Sequence, residues 1–223
     1  MVLKEFRQSV RALCRIPSLT AISILTIALG VGGGTALFSV VKAVLLNPLP
    51  FKQPDRLAWI AEVNRIGRQT QVAYQNYLDW RSQSTSFESM AAMGGGPAVL
   101  SGGDVPQNTR GTSVTSEFFS VMGASVALGR TFTPEEHQAG APVAVISYGM
   151  WQGAFGGKRD VIGRTIRVAG VTPTVIGVMQ PGFDYPQQTG FWLPAEMFGD
   201  PGVGVRTGHN WRIVARIKPD ASI

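Results

Sequence analysis

The stretch from Leu19 to Val41 reads LTAISILTIALGVGGGTALFSVV and contains no charged residue. Only Ser, Thr and Gly interrupt its Ala, Ile, Leu, Val and Phe. A helix needs about 20 apolar residues to cross the hydrocarbon core of a bilayer, so this run is long enough to span with some tilt. A signal-peptide core is shorter, about 7–15 residues, and ends at a small-x-small site, which makes cleavage the weaker alternative. A transmembrane helix over residues 18–46 then separates a short N-terminal stub from a large folded part, 47–223.

Four of the five positions from Gly30 to Gly34 are glycine, which raises the question of a phosphate-binding loop. A Walker loop requires Lys followed by Ser or Thr after its last glycine, and none follows here. The dinucleotide fingerprint requires glycine at the position occupied by Thr35. Both nucleotide readings fail on residue identity. Gly30 and Gly34 retain G-x-x-x-G spacing, with Ala28 and Ala36 nearby, a helix face without bulk on which a second helix can approach closely. Membrane helices also tolerate glycine without such a use.

The flanks predict orientation. Lys4, Arg7, Arg11 and Arg15 against Glu5 give the first 17 residues a charge of +3, whereas Lys42, Lys52 and Arg56 after the run are interleaved with Asp55. Basic residues are retained on the cytoplasmic side, so the N-terminus is expected in the cytoplasm and residues from about 47 in the periplasm. Within 1–17, Val2, Phe6, Val10 and Leu13 recur at helical spacing with the cations elsewhere on the wheel, as in a basic amphipathic helix at the inner leaflet. Pro17 marks a break before the span.

The formal charge of +6 invites a nucleic-acid reading, but from Asn47 onward fifteen basic residues face thirteen acidic ones. No basic groove interleaved with aromatics follows, so no nucleic-acid partner is expected. Cys14, alone in the chain, cannot form an intramolecular disulfide.

Downstream, Leu57–Ala61 reads as a short strand. Tyr74–Met93 suits one or two helices, broken near Ser82–Ser84 and ended by Gly94-Gly95-Gly96-Pro97. Ala98–Leu100, Arg110–Val114, Val143–Ile146, Phe191–Leu193 and Trp211–Ile217 are strand candidates. Thr115–Met122 reads as a short helix stopped by Gly123. Thr133-Pro134-Glu135-Glu136 is a capping-box signature, and Ser147 can cap a helix ending at Gly156. Thr165–Ala169 and Thr174–Met179 flank Gly170 as an expected hairpin. The class is α+β.

No chemistry stands out. His137 and His209 lack any metal-ligand spacing and read as lone polar residues on turns, and Glu135-Glu136 is explained by the cap. No G-x-S-x-G occurs. Catalytic, cofactor and metal sites are therefore expected to be absent, and the tryptophans at 59, 80, 151, 192 and 211 read as core or interface anchors.

Specific strings nevertheless add up. Phe6–Leu13 (FRQSVRAL), Leu25–Gly30 (LTIALG), Phe38–Val41 (FSVV), Asn47–Pro50 (NPLP) and Pro54–Leu57 (PDRL) resemble the beginning of a MacB/FtsX-type ABC transporter permease. Asn76–Trp80 (NYLDW), Glu117–Phe119 (EFF), Leu128–Phe132 (LGRTF), Val143–Ser147 (VAVIS), Ile162–Ile166 (IGRTI) and Val175–Met179 (VIGVM) resemble that family's periplasmic core domain. The flavour is that of the duplicated orphan permeases of acidobacteria, which are not encoded beside an ATPase. The resemblance implies a two-lobed domain: a βαβ lobe near 56–93 and 208–223, with a mainly β lobe inserted over about 97–207. It also implies that the later membrane helices and the rest of the first lobe are missing, so the sequence is expected to be an N-terminal fragment. The implied function is efflux in the inner membrane, with other transmembrane helices, a second copy and a separate ABC ATPase subunit as partners and hydrophobic or peptide-like material as cargo. A single-pass sensor or binding module is the alternative.

Overall fold

The computed structural model describes residues 17–41, 51–101, 106–186, 188–199 and 206–221. The chain divides into two units, one ending at Leu49 and the other running from Pro50 to Ile223. In the first, helix α1 (Pro17–Val41) covers the apolar run, with the proline at its first described position. Proline is suited to the first turn of a helix, where its missing N–H is not needed.

The second unit is built on a 10-stranded sheet. Strand β1 (Leu57–Ile60) pairs with the last strand, β12 (His209–Ile217), which pairs in turn with β5 (Phe87–Ser101). The order continues through β6 (Gln107–Val114), β11 (Phe191–Pro194), β8 (Val143–Ile146), β10 (Thr174–Met179) and β7 (Val126–Gly129). A separate ribbon of β2 (Glu62–Val63) and β3 (Gln69–Thr70) leads into β4 (Val72–Ala73), which pairs with the start of β12. The parallel neighbours β8 and β10 enclose helix α5 (Tyr148–Phe155), a βαβ unit, while β5, β6, β12 and β1 are antiparallel. The fold is α+β, with an apolar N-terminal helix and a sheet-rich domain.

Helix α2 (Tyr74–Gln83) occupies only the first half of the helical span expected over Tyr74–Met93. The rest belongs to β5, and the glycines after Met93 lie inside the strand rather than ending an element. The reason is burial on both faces. Met90 and Ala92 pack with Tyr74, Tyr77, Ile213 and Ala215 on one side, and Ala91 and Met93 with Phe118, Phe119 and Val214 on the other. A strand covered on both faces reads as a continuous apolar run, which periodicity cannot separate from a helix.

The glycines serve close packing. A Cβ on Gly95 would fall 2.1 Å from the Gly111 carbonyl oxygen on β6, and a Cβ on Gly111 would fall 2.4 Å from the Phe191 ring on β11. Gly95 and Gly111 thus let β5 and β6 approach closely and let the Phe191 ring of β11 lie over Gly111.

The cap signatures form as read. Helix α3 (Phe118–Met122) stops at Gly123, whose φ of 64° is the left-handed conformation a helix C-terminus needs. Helix α4 (Pro134–Gln138) carries the full capping box between Thr133 and Glu136, with Arg130 forked onto the Glu136 carboxylate at 2.7 Å through each terminal nitrogen. Ser147 accepts from the Met150 N–H at the start of α5.

The expected hairpin after Thr165 is only partly realised. Val168 and Val171 exchange both main-chain bonds around Ala169 and Gly170, which both have positive φ, as a two-residue hairpin turn requires. The strand β9 (Arg167–Val168) pairs with the end of β5 instead of with β10.

Candidate functional site

Hydroxyls of the membrane helix find their acceptors within the helix itself. The hydroxyl of Thr26 donates to the Ile22 carbonyl, Thr35 to Val31 and Ser39 to Thr35, each at 2.8 Å. Such i−4 bonds satisfy hydroxyls that would otherwise be costly in hydrocarbon. Ile22, Leu25, Leu29, Val31 and Leu37 are all more than 60% exposed. Gly30 and Gly34 lie four residues apart and so on one face, where an added Cβ at either would meet open space. Lys4, Arg7, Arg11 and Arg15, expected to set the orientation, lie outside the described residues, as does Asn47–Pro50.

Residues 51–56 are fixed to the domain. Phe51 makes edge contacts with Phe183 at 6.3 Å and Tyr185 at 5.4 Å. Lys52 crosses the end of α3 so closely that a Cβ on Gly123 would lie 2.4 Å from its own Cβ. Arg56 donates to the carbonyl of Ile217 at the end of β12 and pairs with Glu88. Beside it, the buried Arg216 donates from Nε and Nη2 to the Val121 carbonyl at 3.0 and 2.5 Å, a cation at the C-terminal end of α3 where the helix dipole favours it. Burial, followed by repulsion from Arg56, pulls the Arg216 pKa down from its usual value.

Neither histidine is a lone turn residue. His137 is buried in α4 and faces Glu196 at 2.8 Å through Nδ1, while its Nε2 has no partner among the described residues. His209 pairs with Glu62 at 2.7 Å. Both pairs are long-range, the nearer of the two, His137 and Glu196, being 59 residues apart, which hides them from any spacing rule.

A cleft of about 650 Å³ opens where β12 diverges from β5. Met93, Gly95, Arg110, Phe198, Trp211 and Arg212 are among the residues that line it. Trp211 is braced by Tyr74 at 5.0 Å between ring centroids. Arg212 and Arg216 sit in an otherwise apolar strand segment, and that departure was the available sequence signal for both. Arg110 gave no such signal, because its position depends on the pairing of β6.

Comparison with known proteins agrees with this architecture. Residues 20–223 match the family described as MacB-like periplasmic core domain. An 88-residue stretch is 32% identical to the probable syringafactin export ATP-binding/permease protein SyfD of Pseudomonas syringae pv. syringae (strain B728a), covering 38% of this chain and 14% of that protein. The chain thus spans a small part of that relative's length. The crystal structure of the periplasmic region of MacB from Actinobacillus actinomycetemcomitans matches with a TM-score of 0.61 at 16% identity, over 75% of this chain and 77% of that one. The extracellular domain of the noncanonic ABC-type transporter YknZ from Gram-positive bacteria matches with a TM-score of 0.55 at 16% identity, over 74% and 83%. With the family model covering the whole domain and part of the apolar helix, the chain belongs to the MacB-like periplasmic core domain family, the extracytoplasmic domain of ABC-type transporter permeases, carried here behind a membrane helix.

Proposed function

We propose that this chain is the N-terminal portion of an ABC-type efflux permease, with its N-terminus in the cytoplasm and residues from about 47 in the periplasm. In this reading it has no chemistry of its own. ATP used at a separate cytoplasmic subunit moves the transmembrane helices, and the domain converts that movement into a change on the periplasmic side. The observation that supports this reading is the clamp of residues 51–56 onto β12: Arg56 holds the Ile217 carbonyl while Leu57 on β1 pairs with Arg216. Strands β1 and β12 are side by side, so a displacement delivered at residue 51 reaches β12 and, through it, β5. The resemblance to SyfD, whose name joins an ATP-binding and a permease part, supports the ATPase partner.

The test is hydrogen exchange in membranes that contain the complete permease and its ATPase. Adding ATP with vanadate is expected to change exchange of segments 51–60 and 213–217 together. Change in one segment without the other, or none in either, would contradict the relay. Orientation is checked separately with a membrane-impermeant maleimide in intact spheroplasts, which is expected to label an Ile66→Cys protein at residue 66 and not at Cys14.

A further inference from the structure

The edge of β5 that faces the cleft is open. Strand β12 covers β5 only as far as Met93, then turns away so that Trp211 and His209 pair with Val72 and Ala73 of β4. Strand β9 joins the same side only at Leu100 and Ser101. On its other side β5 is paired with β6 without a register break from Met93 to Leu100. Between Gly94 and Val99 one side of the strand thus has no strand partner among the described residues.

The direction of its main-chain groups follows from the ladder. Both main-chain groups of Ala92 face Thr115: its N–H donates to the Thr115 hydroxyl, and its carbonyl accepts from the Thr115 N–H. Antiparallel pairing alternates, so the even residues bond to β6 and Gly95, Pro97 and Val99 turn their N–H and C=O groups the other way. Pro97, which has no N–H, sits on the side where none is needed for the β6 ladder.

The side chains around this edge are charged in one sense. Arg212 lies opposite Met93 on β12 and Arg110 opposite Pro97 on β6, so both arginines are on one face, separated along β5 by about 13 Å, the rise of four strand residues. Neither makes an ion pair or a side-chain hydrogen bond among the described residues, whereas Arg56, Arg81, Arg130, Arg164 and Arg206 are all paired with carboxylates. Trp211 and Phe198, the latter 55% exposed, supply apolar contact beside them.

We propose that this cleft binds an acidic peptide in extended conformation, laid along the open edge of β5 with carboxylates on Arg110 and Arg212. Main-chain bonds to Gly95 and Val99 and to the Pro97 carbonyl supply affinity for an extended backbone, and the two guanidinium groups select carboxylates on peptide side chains four residues apart. Around Gly96 an added Cβ would meet nothing within 4 Å, so the strand is uncrowded midway along this edge. The site belongs to this face of the domain and stands whether or not the chain works as part of a permease.

The test uses the full chain in detergent micelles and a fluorescein-labelled hexapeptide of alternating Val and Glu, followed by fluorescence anisotropy. Saturable binding is expected, with a peptide of alternating Val and Lys at least about tenfold weaker and a Val–Glu peptide N-methylated at alternate nitrogens weakened similarly. Arg110→Gln and Arg212→Gln should each weaken binding by about tenfold while leaving the thermal midpoint unchanged. Absence of saturable binding overturns the proposal, as does equal binding of the lysine or N-methylated peptide, or wild-type affinity in both variants.

Discussion

Arg56 and Ile217, 161 positions apart in the sequence, are held together by one guanidinium that donates to one carbonyl oxygen, from Nε at 2.9 Å and from Nη2 at 2.7 Å. Replacing Arg56 with Ala removes both bonds and the Glu88 pair, and is expected to cost about 1–2 kcal/mol in chemical denaturation. Arg56→Lys should restore only part, because an ammonium cannot present two parallel donors. A variant as stable as the wild type in both forms would show that the clamp contributes nothing.

Arg216 is the stricter case because it is buried. Arg216→Met keeps the apolar stem and leaves the Val121 carbonyl without the two guanidinium donors it accepts from. The expected loss is about 2–3 kcal/mol, larger than for Arg56, since buried acceptors lose a partner that solvent does not replace. Thermal unfolding monitored by tryptophan fluorescence orders the two variants, and the reverse order would refute this account.

Within the glycine-rich part of the sheet, two apparently similar substitutions should behave differently. Gly111→Ala places a methyl 2.4 Å from the Phe191 ring and is expected to destabilise by about 1–3 kcal/mol. Gly96→Ala, directly opposite in the ladder, meets nothing within 4 Å and should be neutral or slightly stabilising. Equal effects of the two in denaturant titrations would mean that strand propensity, not contact, governs this region.

Acid should expose the Arg130–Glu136 fork. The Arg130 hydrogen bonds hold the Glu136 carboxyl below its ordinary pKa, aided by the Thr133 N–H and outweighing burial. A carboxyl depressed in the folded state stabilises fully above its unfolded pKa and loses that contribution as pH falls through the folded one. Glu136→Gln retains the cap but not the charge, so wild type should exceed the variant by about 0.5–1 kcal/mol at neutral pH, with Arg130 half exposed. The gap should close with acidification; a gap constant down to acid pH would exclude the charge as its cause.

In the membrane, Gly30→Ile together with Gly34→Ile is expected to weaken helix association in a membrane two-hybrid assay, by filling the face on which both glycines lie. Gly32→Ile, on a different face, is the control. Unchanged association in the double variant would remove Gly30 and Gly34 as packing residues.

The elements with local signatures were legible in the sequence: the apolar span, the capping box at Thr133, the Ser147 cap and the Gly123 stop each depend on residues within one turn of one another. What could not be read depends on partners far along the chain. Met90–Met93 is strand because α2 and α3 cover both its faces, and no window of sequence contains that fact. His137 and Glu196, or Arg110 and Arg212, come together only through sheet order, which single residues do not encode. The MacB-like strings supplied the family, since many short matches in a fixed order carry more information than any one of them.

Strand β5 is shared: Phe87–Met93 forms the ladder with β12, and Met93–Leu100 the ladder with β6. The two parts of the sheet are thus threaded on a single backbone, and a change of twist in one is carried into the other through Gly94, Gly95 and Gly96. Those three residues carry no side chains, so the stretch of β5 that joins the two ladders is held by its main-chain pairing to β6 and adjoins the cleft.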